Sequence, residues 1–294
     1  MKIAFSVWPD LPGNEPLPDY LRERAEQRRQ VLSSGGFDFI HIGDCDQDEI
    51  AKRMVERFYD LPTVRQATAI SDYVRVVTLI QLLEKEKCDE VFYLDYDFHL
   101  WEPPSKHGIT LESHISPDEN GKPSKLWYRG QNSTYYLAQK HLPILRNHLR
   151  QLRLTIYTKA QNGRYRPKHT YPMNHLQEFE NQVGFIPGYR HIASETQHGP
   201  TWHDTTVAAL QLSVAMGDMP DTSIKGINWI GSHHTTAPAM QAEEQRINAL
   251  RLELAQHANA PSSDTLRSFL ASLKIRTNYN NLHRKRLLQR FIAG

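Results

Sequence analysis

Asp95 directly follows the apolar run Val-Phe-Tyr-Leu at residues 91–94, and a second aspartate, Asp97, lies two residues further on. An unbroken run of this kind is typical of a buried strand in a parallel sheet, and ligands of open α/β sheets bind beyond the carboxyl ends of such strands. Side chains two residues apart on extended backbone point to the same side, where two carboxylates without a cation would repel each other. Mn²⁺ or Mg²⁺ removes that conflict because both ions prefer oxygen ligands. The spacing therefore predicts a divalent-cation site at Asp95 and Asp97, and two solvated aspartates at a strand end are the alternative.

The composition excludes several classes of protein. The 294 residues carry a formal net charge of +2, so no global field directs the chain to nucleic acid or to membranes. Charged residues make up 23% and hydrophobic residues 39%, which is ordinary for a globular protein. Cys45 and Cys88 lack metal-binding spacing and argue against a disulfide framework. No stretch approaches the length of a membrane span, and residues 1–8 are too short for a signal peptide, so we expect a cytoplasmic protein.

Strand and helix patterns alternate up to the two aspartates. Strands are predicted at residues 3–8, 37–42 and 91–94, and helices at residues 21–32, 48–59 and 68–87. This order is typical of the start of a doubly wound α/β sheet. The helix at 68–87 has an apolar stripe at helical spacing and leads directly into the strand that precedes Asp95.

The pattern after residue 100 is less regular. The predicted elements are strands at 111–116, 185–191 and 224–230, a short segment at 126–128, an exposed loop at 162–172, and helices at 137–152, 204–216 and 241–257. We expect a catalytic domain over residues 1–240, followed by a helical extension with a basic tail over residues 241–294.

A second pattern precedes the central strand. Ser-Asp-Tyr-Val-Arg at residues 71–75 lies on the predicted helix, and Leu-Asp-Tyr-Asp at residues 94–97 ends the strand. Together they resemble the sugar-binding family of DXD glycosyltransferases, which includes the outer-chain mannosyltransferases and the clostridial glucosylating toxins. The resemblance covers residues 67–97, and it departs from the family at residues 87–89, where Lys-Cys-Asp stands in place of the usual Gly-Gly.

The resemblance implies an α/β fold of the GT-A type, which is a mixed, mostly parallel sheet flanked by helices. It implies a metal-dependent and retaining enzyme that takes a sugar from a UDP- or GDP-linked donor. Asp95 and Asp97 would be the catalytic pair that holds the Mn or Mg ion. The acceptor stays open between a saccharide, a protein and a nucleic acid.

Four residues are expected to bind the donor: Trp8, Asp72, Arg75 and Tyr96. The resemblance places Trp8, at the end of the first strand, near the nucleotide base. Asp72 and Arg75 are one helical turn apart and share a face, and the planar guanidinium of Arg75 suits a diphosphate. A core aromatic at Trp8 and an ordinary ion pair on a helix surface are the alternatives.

Two later segments complete the expected site. His233 and His234 follow the strand predicted at 224–230. The resemblance to Asp-x-Asp transferases implies that either histidine would complete the metal coordination, and exposed loop histidines are the alternative. The resemblance also implies an acceptor side, at Asn132, Trp202, His203 and Asp204. A helix cap is the alternative for His203 and Asp204.

The tail from residue 273 interleaves basic and apolar residues. Such a tail could contact an anionic membrane surface, which would place the protein at the inner face of the membrane. It could also contact nucleic acid phosphates, and a solvated terminal helix is the simplest alternative. A purely nucleic-acid-binding protein is disfavoured, because the chain has a weak net charge and lacks a nucleic-acid-reading motif.

A phosphatase of the haloacid-dehalogenase type is the alternative enzyme. Its nucleophile motif is also an apolar strand ending in Asp-x-Asp, so Asp95 would be the nucleophile and Asp97 the acid/base. The acidic run at residues 217–221 faintly resembles its second motif. However, His99 stands where that pattern has Thr or Val, and the Ser-Asp-Tyr-Val-Arg segment is left without a role.

Overall fold

The computed structural model describes residues 1–9, 16–43, 63–84, 88–120, 122–161, 174–192, 212, 216, 223–229, 245, 248–249, 251–252, 263–277 and 282–293. Its strands are β1 (Lys2–Val7), β2 (Phe37–Ile42), β3 (Glu90–Leu94), β4 (Phe98–Leu100), β5 (Gly108–Pro117), β6 (Pro123–Ala138), β7 (Phe185–Ile192), β8 (Gly226–Trp229) and β9 (Lys274–Thr277). Its helices are α1 (Asp19–Ser34), α2 (Thr63–Glu84), α3 (Leu142–Gln161), α4 (Asn174–Gln182), α5 (Ser263–Ala271) and α6 (Leu282–Ala293).

The chain divides into two compact units. The first unit comprises Met1–Tyr96 and Thr134–Phe179, and the second comprises Asp97–Ser133 and Glu180–Gly294. Strand β6 therefore contributes its last residues to the first unit and its earlier residues to the second.

The first unit has the strand order β2-β1-β3-β6. Strands β2 and β3 run parallel to β1, and β6 runs antiparallel to β3. Strand β3 lies between β1 and β6, and its side chains at 91–94 are buried. An interior strand that is covered on both faces needs apolar residues at every position, which explains why this run does not alternate.

Helix α2 packs against β1, β3 and α3. Its apolar side chains at Ile70, Val76 and Leu83 are buried. Burying an aliphatic side chain of this size stabilises the fold by about 1.5–3 kcal/mol relative to leaving it exposed. Asp72 and Arg75 lie on the same buried helix, so two polar side chains are held rigidly inside the first unit.

The second unit contains β7 between β5 and β8, with all three strands parallel. Strand β4 runs antiparallel to β8, and β9 runs parallel to β6. Gly108 at the start of β5 permits a close approach, because a Cβ there would lie 2.4 Å from the backbone carbon of Phe185. The register between β5 and β7 shifts between Ile109 and Leu111, which brings Glu112 opposite His191.

The predicted fold class is confirmed, because both units contain a mixed, mostly parallel set of strands with helices packed against them. The strands predicted at 3–8, 37–42, 91–94 and 185–191 are present with small shifts at their ends. The strand predicted at 111–116 is longer, and the helix predicted at 68–87 begins earlier, at Thr63; it is described as far as Glu84, and residues 85–87 lie outside the described residues.

Two predictions of secondary structure are wrong. The short segment at 126–128 is part of one long strand, β6, which runs to Ala138 and displaces the start of the helix predicted at 137 to Leu142. Pairing with β3 decides this, because Leu137 lies opposite Val91 in the ladder. Near the chain end, Lys274–Thr277 forms strand β9 on β6 where only helix was expected.

Several predicted elements lie outside the described residues, namely the helix at 48–59, the loop at 162–172 and most of the helices at 204–216 and 241–257. The domain boundary at 240/241 stays a prediction. Of the helices that the structure describes, none has the length and apolar character needed to cross a membrane.

Candidate active site

Asp95 directly follows β3, the interior strand of the first unit. The strand end is fixed because the Ser6 hydroxyl donates a hydrogen bond of 2.7 Å to the carbonyl of Leu94. The Asp95 carboxylate accepts a hydrogen bond from the Tyr93 hydroxyl and forms an ion pair with Arg75, in which Nη1 and Oδ1 are 3.3 Å apart. Its side chain remains 24% exposed. Asp95 is therefore both firmly held and open to solvent.

Arg75 joins the helix to the strand end. Its Nη2 lies 2.7 Å from Oδ1 of Asp72, its Nε donates to the carbonyl of Ser71 at 3.3 Å, and its guanidinium carbon lies 4.6 Å from the centre of the Tyr93 ring. Burial raises the pKa of Tyr93 well above its usual range, so the phenol stays protonated and donates to Asp95. The structure thus brings Asp72, Arg75 and Asp95 together, and their roles in donor and metal binding stay predictions.

Tyr96, the residue between the two aspartates, is buried and held from three sides. Its hydroxyl is hydrogen-bonded to Nδ1 of His41 on β2, and its carbonyl accepts from Nη2 of Arg28 on α1. The Arg28 guanidinium also lies 5.8 Å from the centre of the Tyr96 ring. Trp8, just beyond β1, meets the same ring edge-on with the two centroids 5.9 Å apart. Neither His41 nor Arg28 was singled out from the sequence.

Asp97 begins the second unit, where a residue missed by the sequence analysis holds it. Nδ2 of Asn228, on β8, donates a hydrogen bond of 2.8 Å to Oδ1 of Asp97. Asn228 is buried, and it is a polar residue within an otherwise apolar strand. That polarity was the available signal, since a buried amide needs a partner.

A row of buried polar side chains continues from Asn228 across the second unit. Glu112 on β5 lies opposite His191 on β7, and His191 lies opposite Asn228 on β8. Residues in register on neighbouring strands point to the same face, so these three side chains form one line, here called the polar row. All three are buried.

Two residues of β6 support the polar row. Arg129 binds Glu112 through both Nε and Nη2, at 2.6 and 3.2 Å from the two carboxylate oxygens. The amide of Gln131 lies 3.4 Å from Oε2 of Glu112 and 3.4 Å from Nε2 of His191. Burial lowers the pKa of His191, although Glu112 and Asp97 act in the opposite direction.

The remaining predicted site residues divide into two groups. Asn132 lies half-buried on β6, where its backbone N–H donates to the side-chain oxygen of Gln131 at 2.9 Å. The other five predictions, Trp202, His203, Asp204, His233 and His234, fall outside the described residues.

The chemistry of the two aspartates fits a hard divalent cation, because carboxylate oxygens are the donors that Mn²⁺ and Mg²⁺ prefer. Within the part of the chain that the structure describes, no cluster of three or more His, Cys, Asp or Glu residues has a metal-binding arrangement.

Comparison with known proteins gives matches among solved structures. One is the galactosyltransferase LgtC in complex with donor and acceptor sugar analogs, at 14% identity and a TM-score of 0.42, covering 92% of this chain and 100% of that one. Another is a glycosyltransferase involved in the glycosylation of the major capsid of PBCV-1, at 14% identity and a TM-score of 0.37, covering 84% of this chain and 98% of that one. The PaToxG glycosyltransferase matches at 14% identity and a TM-score of 0.32, covering 86% of this chain and 85% of that one.

No family model matches the chain, and no curated protein matches it.

Proposed function

We propose that this chain is a metal-dependent glycosyltransferase of the GT-A type, which moves a sugar from a nucleotide-sugar donor to an acceptor. One observation carries the proposal: Asp95 follows the interior strand β3, where Arg75 and Tyr93 hold its carboxylate. Parallel α/β sheets bind ligands beyond such strand ends. Asp97, two residues further on, supplies the second carboxylate.

Asp95 and Asp97 would hold the Mn²⁺ or Mg²⁺ ion. When bound, the ion would act as a Lewis acid that stabilises the charge on the departing nucleoside diphosphate. Arg75 orients the carboxylate of Asp95 through its ion pair of 3.3 Å. The Asp72 carboxylate, 13% exposed beside Arg75, is placed to accept hydrogen bonds from donor hydroxyls.

Trp8 and Tyr96 form the proposed nucleotide end of the site. Their rings meet edge-on, and Tyr96 is fixed by His41 and Arg28, so a planar base would meet a rigid aromatic wall. The donor would be a UDP- or GDP-sugar, and the reaction would retain the configuration of the sugar.

The acceptor side is proposed at Asn132, Trp202, His203 and Asp204, with His233 or His234 as a further metal ligand. The acceptor is a saccharide, a protein or a nucleic acid. We place the protein in the cytoplasm, with peripheral contact to the inner face of the membrane through helix α6. That helix exposes Lys285, Arg286 and Arg290 while it buries Leu288.

The experiment that tests the proposal is a thermal-shift screen of UDP- and GDP-sugars with and without Mn²⁺, followed by measurement of nucleoside diphosphate release. We expect a nucleotide sugar to stabilise the protein only when Mn²⁺ is present, and to release its diphosphate slowly in water. A panel in which no nucleotide sugar shifts the melting temperature or releases diphosphate, with or without Mn²⁺, would refute the proposal.

A further inference from the structure

The carboxylate of Asp97 is held by a side chain from a distant part of the sequence. Asn228 donates through Nδ2 to Oδ1 of Asp97 at 2.8 Å. Asp97 lies in the turn between β3 and β4, whereas Asn228 lies inside β8. Strand β4 begins directly after Asp97 and pairs with β8, so that Phe98 lies opposite Asn228 in the ladder.

Asn228 is itself the last member of the polar row. His191 lies beside it in register, and Glu112 lies beside His191. Arg129 fixes Glu112 with two hydrogen bonds, and the Gln131 amide bridges Glu112 and His191. Polar groups buried in such a line are held in one arrangement, since each loses a hydrogen bond if it turns away.

We infer that Asn228 is a positioning residue for the carboxylate of Asp97, and that the rest of the polar row keeps the Asn228 amide in place. This inference rests on the proposed function, in which Asp97 holds a divalent cation. The hydrogen bond to Oδ1 would restrict rotation of the Asp97 carboxylate and so favour one orientation of it toward the cation. Partners that orient a ligating carboxylate in this way typically contribute a factor of about 10–100 to metal affinity.

The test measures binding of Mn²⁺ alone to the full chain, by loss of the electron paramagnetic resonance signal of the free ion. Asn228→Ala should weaken Mn²⁺ binding by about 10–100-fold. Asn147→Ala is the matched control, because Nδ2 of Asn147 also donates to a carboxylate at 2.8 Å, that of Glu178 on α4 in the first unit. The control should lose a similar hydrogen bond and keep the affinity of the wild type.

Asn228→Asp separates positioning from direct coordination. If the amide acts by donating to Asp97, the new carboxylate removes the donor and repels Asp97, so binding of Mn²⁺ should weaken at least as much as in Asn228→Ala. If Asn228 were instead an oxygen ligand of the ion, the aspartate would match or exceed the affinity of the wild type, and the inference would be overturned.

A second readout separates positioning from damage to the fold. In release of nucleoside diphosphate, Asn228→Ala should need more Mn²⁺ for half-maximal rate, and saturating Mn²⁺ should restore most of the wild-type rate. Asn228→Leu, which has nearly the same size and suits a buried site, replaces the alanine variant if that variant does not fold.

The outcomes for this inference and for the proposed function are distinguishable. A wild type that binds Mn²⁺ and cleaves a nucleotide sugar, with Asn228→Ala showing the same Mn²⁺ affinity, overturns the role of Asn228 and leaves the transferase proposal standing. A wild type that neither binds Mn²⁺ nor cleaves any nucleotide sugar overturns both.

Discussion

Arg75 and Asp95 form an ion pair, 3.3 Å between Nη1 and Oδ1, that ties helix α2 to the end of the interior strand β3. The same guanidinium binds Asp72 at 2.7 Å, so one buried cation serves two carboxylates from different elements. A buried charge that loses its partner is costly, because it cannot return to water. Removing Arg75 would therefore destabilise the first unit, and its two ion pairs hold Asp72 and Asp95 at defined positions.

Arg75→Ala should lower the free energy of unfolding by about 3–5 kcal/mol, since it leaves Asp72 and Asp95 without their shared cation. It should also weaken donor binding even when Mn²⁺ is present. Urea denaturation and thermal shift with the donor measure the two effects. Arg146→Ala is the control, because its pair with Glu84 has side chains 61% and 44% exposed, and exposed pairs contribute about 0–1 kcal/mol. Equal losses in the two variants would contradict the structural role of Arg75.

Asp97→Asn should abolish the Mn²⁺ dependence of donor binding. Metal stabilisation of a leaving group typically lowers the activation free energy by several kcal/mol, and about 1.4 kcal/mol corresponds to a tenfold change in rate. Turnover should therefore fall by several orders of magnitude. The readout is nucleoside diphosphate release at varied Mn²⁺. Asp264→Asn, an aspartate of the second unit that is 87% exposed, should behave as the wild type. A variant Asp97→Asn that retains metal-dependent release would remove Asp97 from the metal site.

Asp95→Asn distinguishes the transferase from the haloacid-dehalogenase-like phosphatase. In the phosphatase, Asp95 would form an aspartyl-phosphate, and the variant would lose hydrolysis of a generic phosphate ester. The site gives that alternative no support, because the Asp95 carboxylate is engaged by Arg75 and Tyr93, and His99 is a buried residue of β4. We expect no ester hydrolysis and no trapped phosphoenzyme in the wild type. Finding both, with no response to nucleotide sugars, would replace the transferase proposal.

Arg190→Met should raise the melting temperature. Arg190 on β7 is 2% exposed, and Nη1 lies 3.2 Å from the Ser113 hydroxyl, while Nε and Nη2 find no hydrogen-bond partner among the described residues. Burial lowers the pKa of this guanidinium to about 9, which reflects the cost of keeping its charge away from water. Replacing a poorly compensated buried charge by an apolar residue of similar length is neutral or stabilising.

Calorimetry of Arg190→Met measures this effect at neutral pH. A fall in melting temperature would show that Arg190 is compensated by a group beyond the described residues. Arg22→Met is the control for the general effect of replacing arginine by methionine. Arg22 is an exposed residue of α1 that pairs with Asp19, so its replacement should change stability little.

The parts of the fold that the sequence predicted are those fixed by local pattern. Strand β3 was recognised because an interior strand requires a continuous apolar run, and α2 because its apolar residues recur at helical spacing. Helical spacing also accounts for the pair of Asp72 and Arg75, whereas the contact of Arg75 with Asp95 depends on how α2 packs against β3.

The parts that were missed depend on pairing between distant segments. Strand β6 contains no clear alternation of apolar and polar residues, and its C-terminal extent follows from pairing with β3, which holds Leu137 opposite Val91. Asn228 and Glu112 can be recognised as members of one polar row only from the strand register, which places both beside His191. That register depends on pairing between distant segments and cannot be read from any one of them.

The edge-on contact between Trp8 and Tyr96 gives the chain an optical property. Trp8 is the one tryptophan in the sequence of the first unit, and its ring centre lies 5.9 Å from that of the residue between Asp95 and Asp97. Indole emission responds to nearby charge and to the motion of neighbouring rings. In a variant whose tryptophans at 101, 127, 202 and 229 are replaced by phenylalanine, Trp8 would be the remaining tryptophan. Its fluorescence would then report binding and release of the proposed cation and donor at the two aspartates without an added dye.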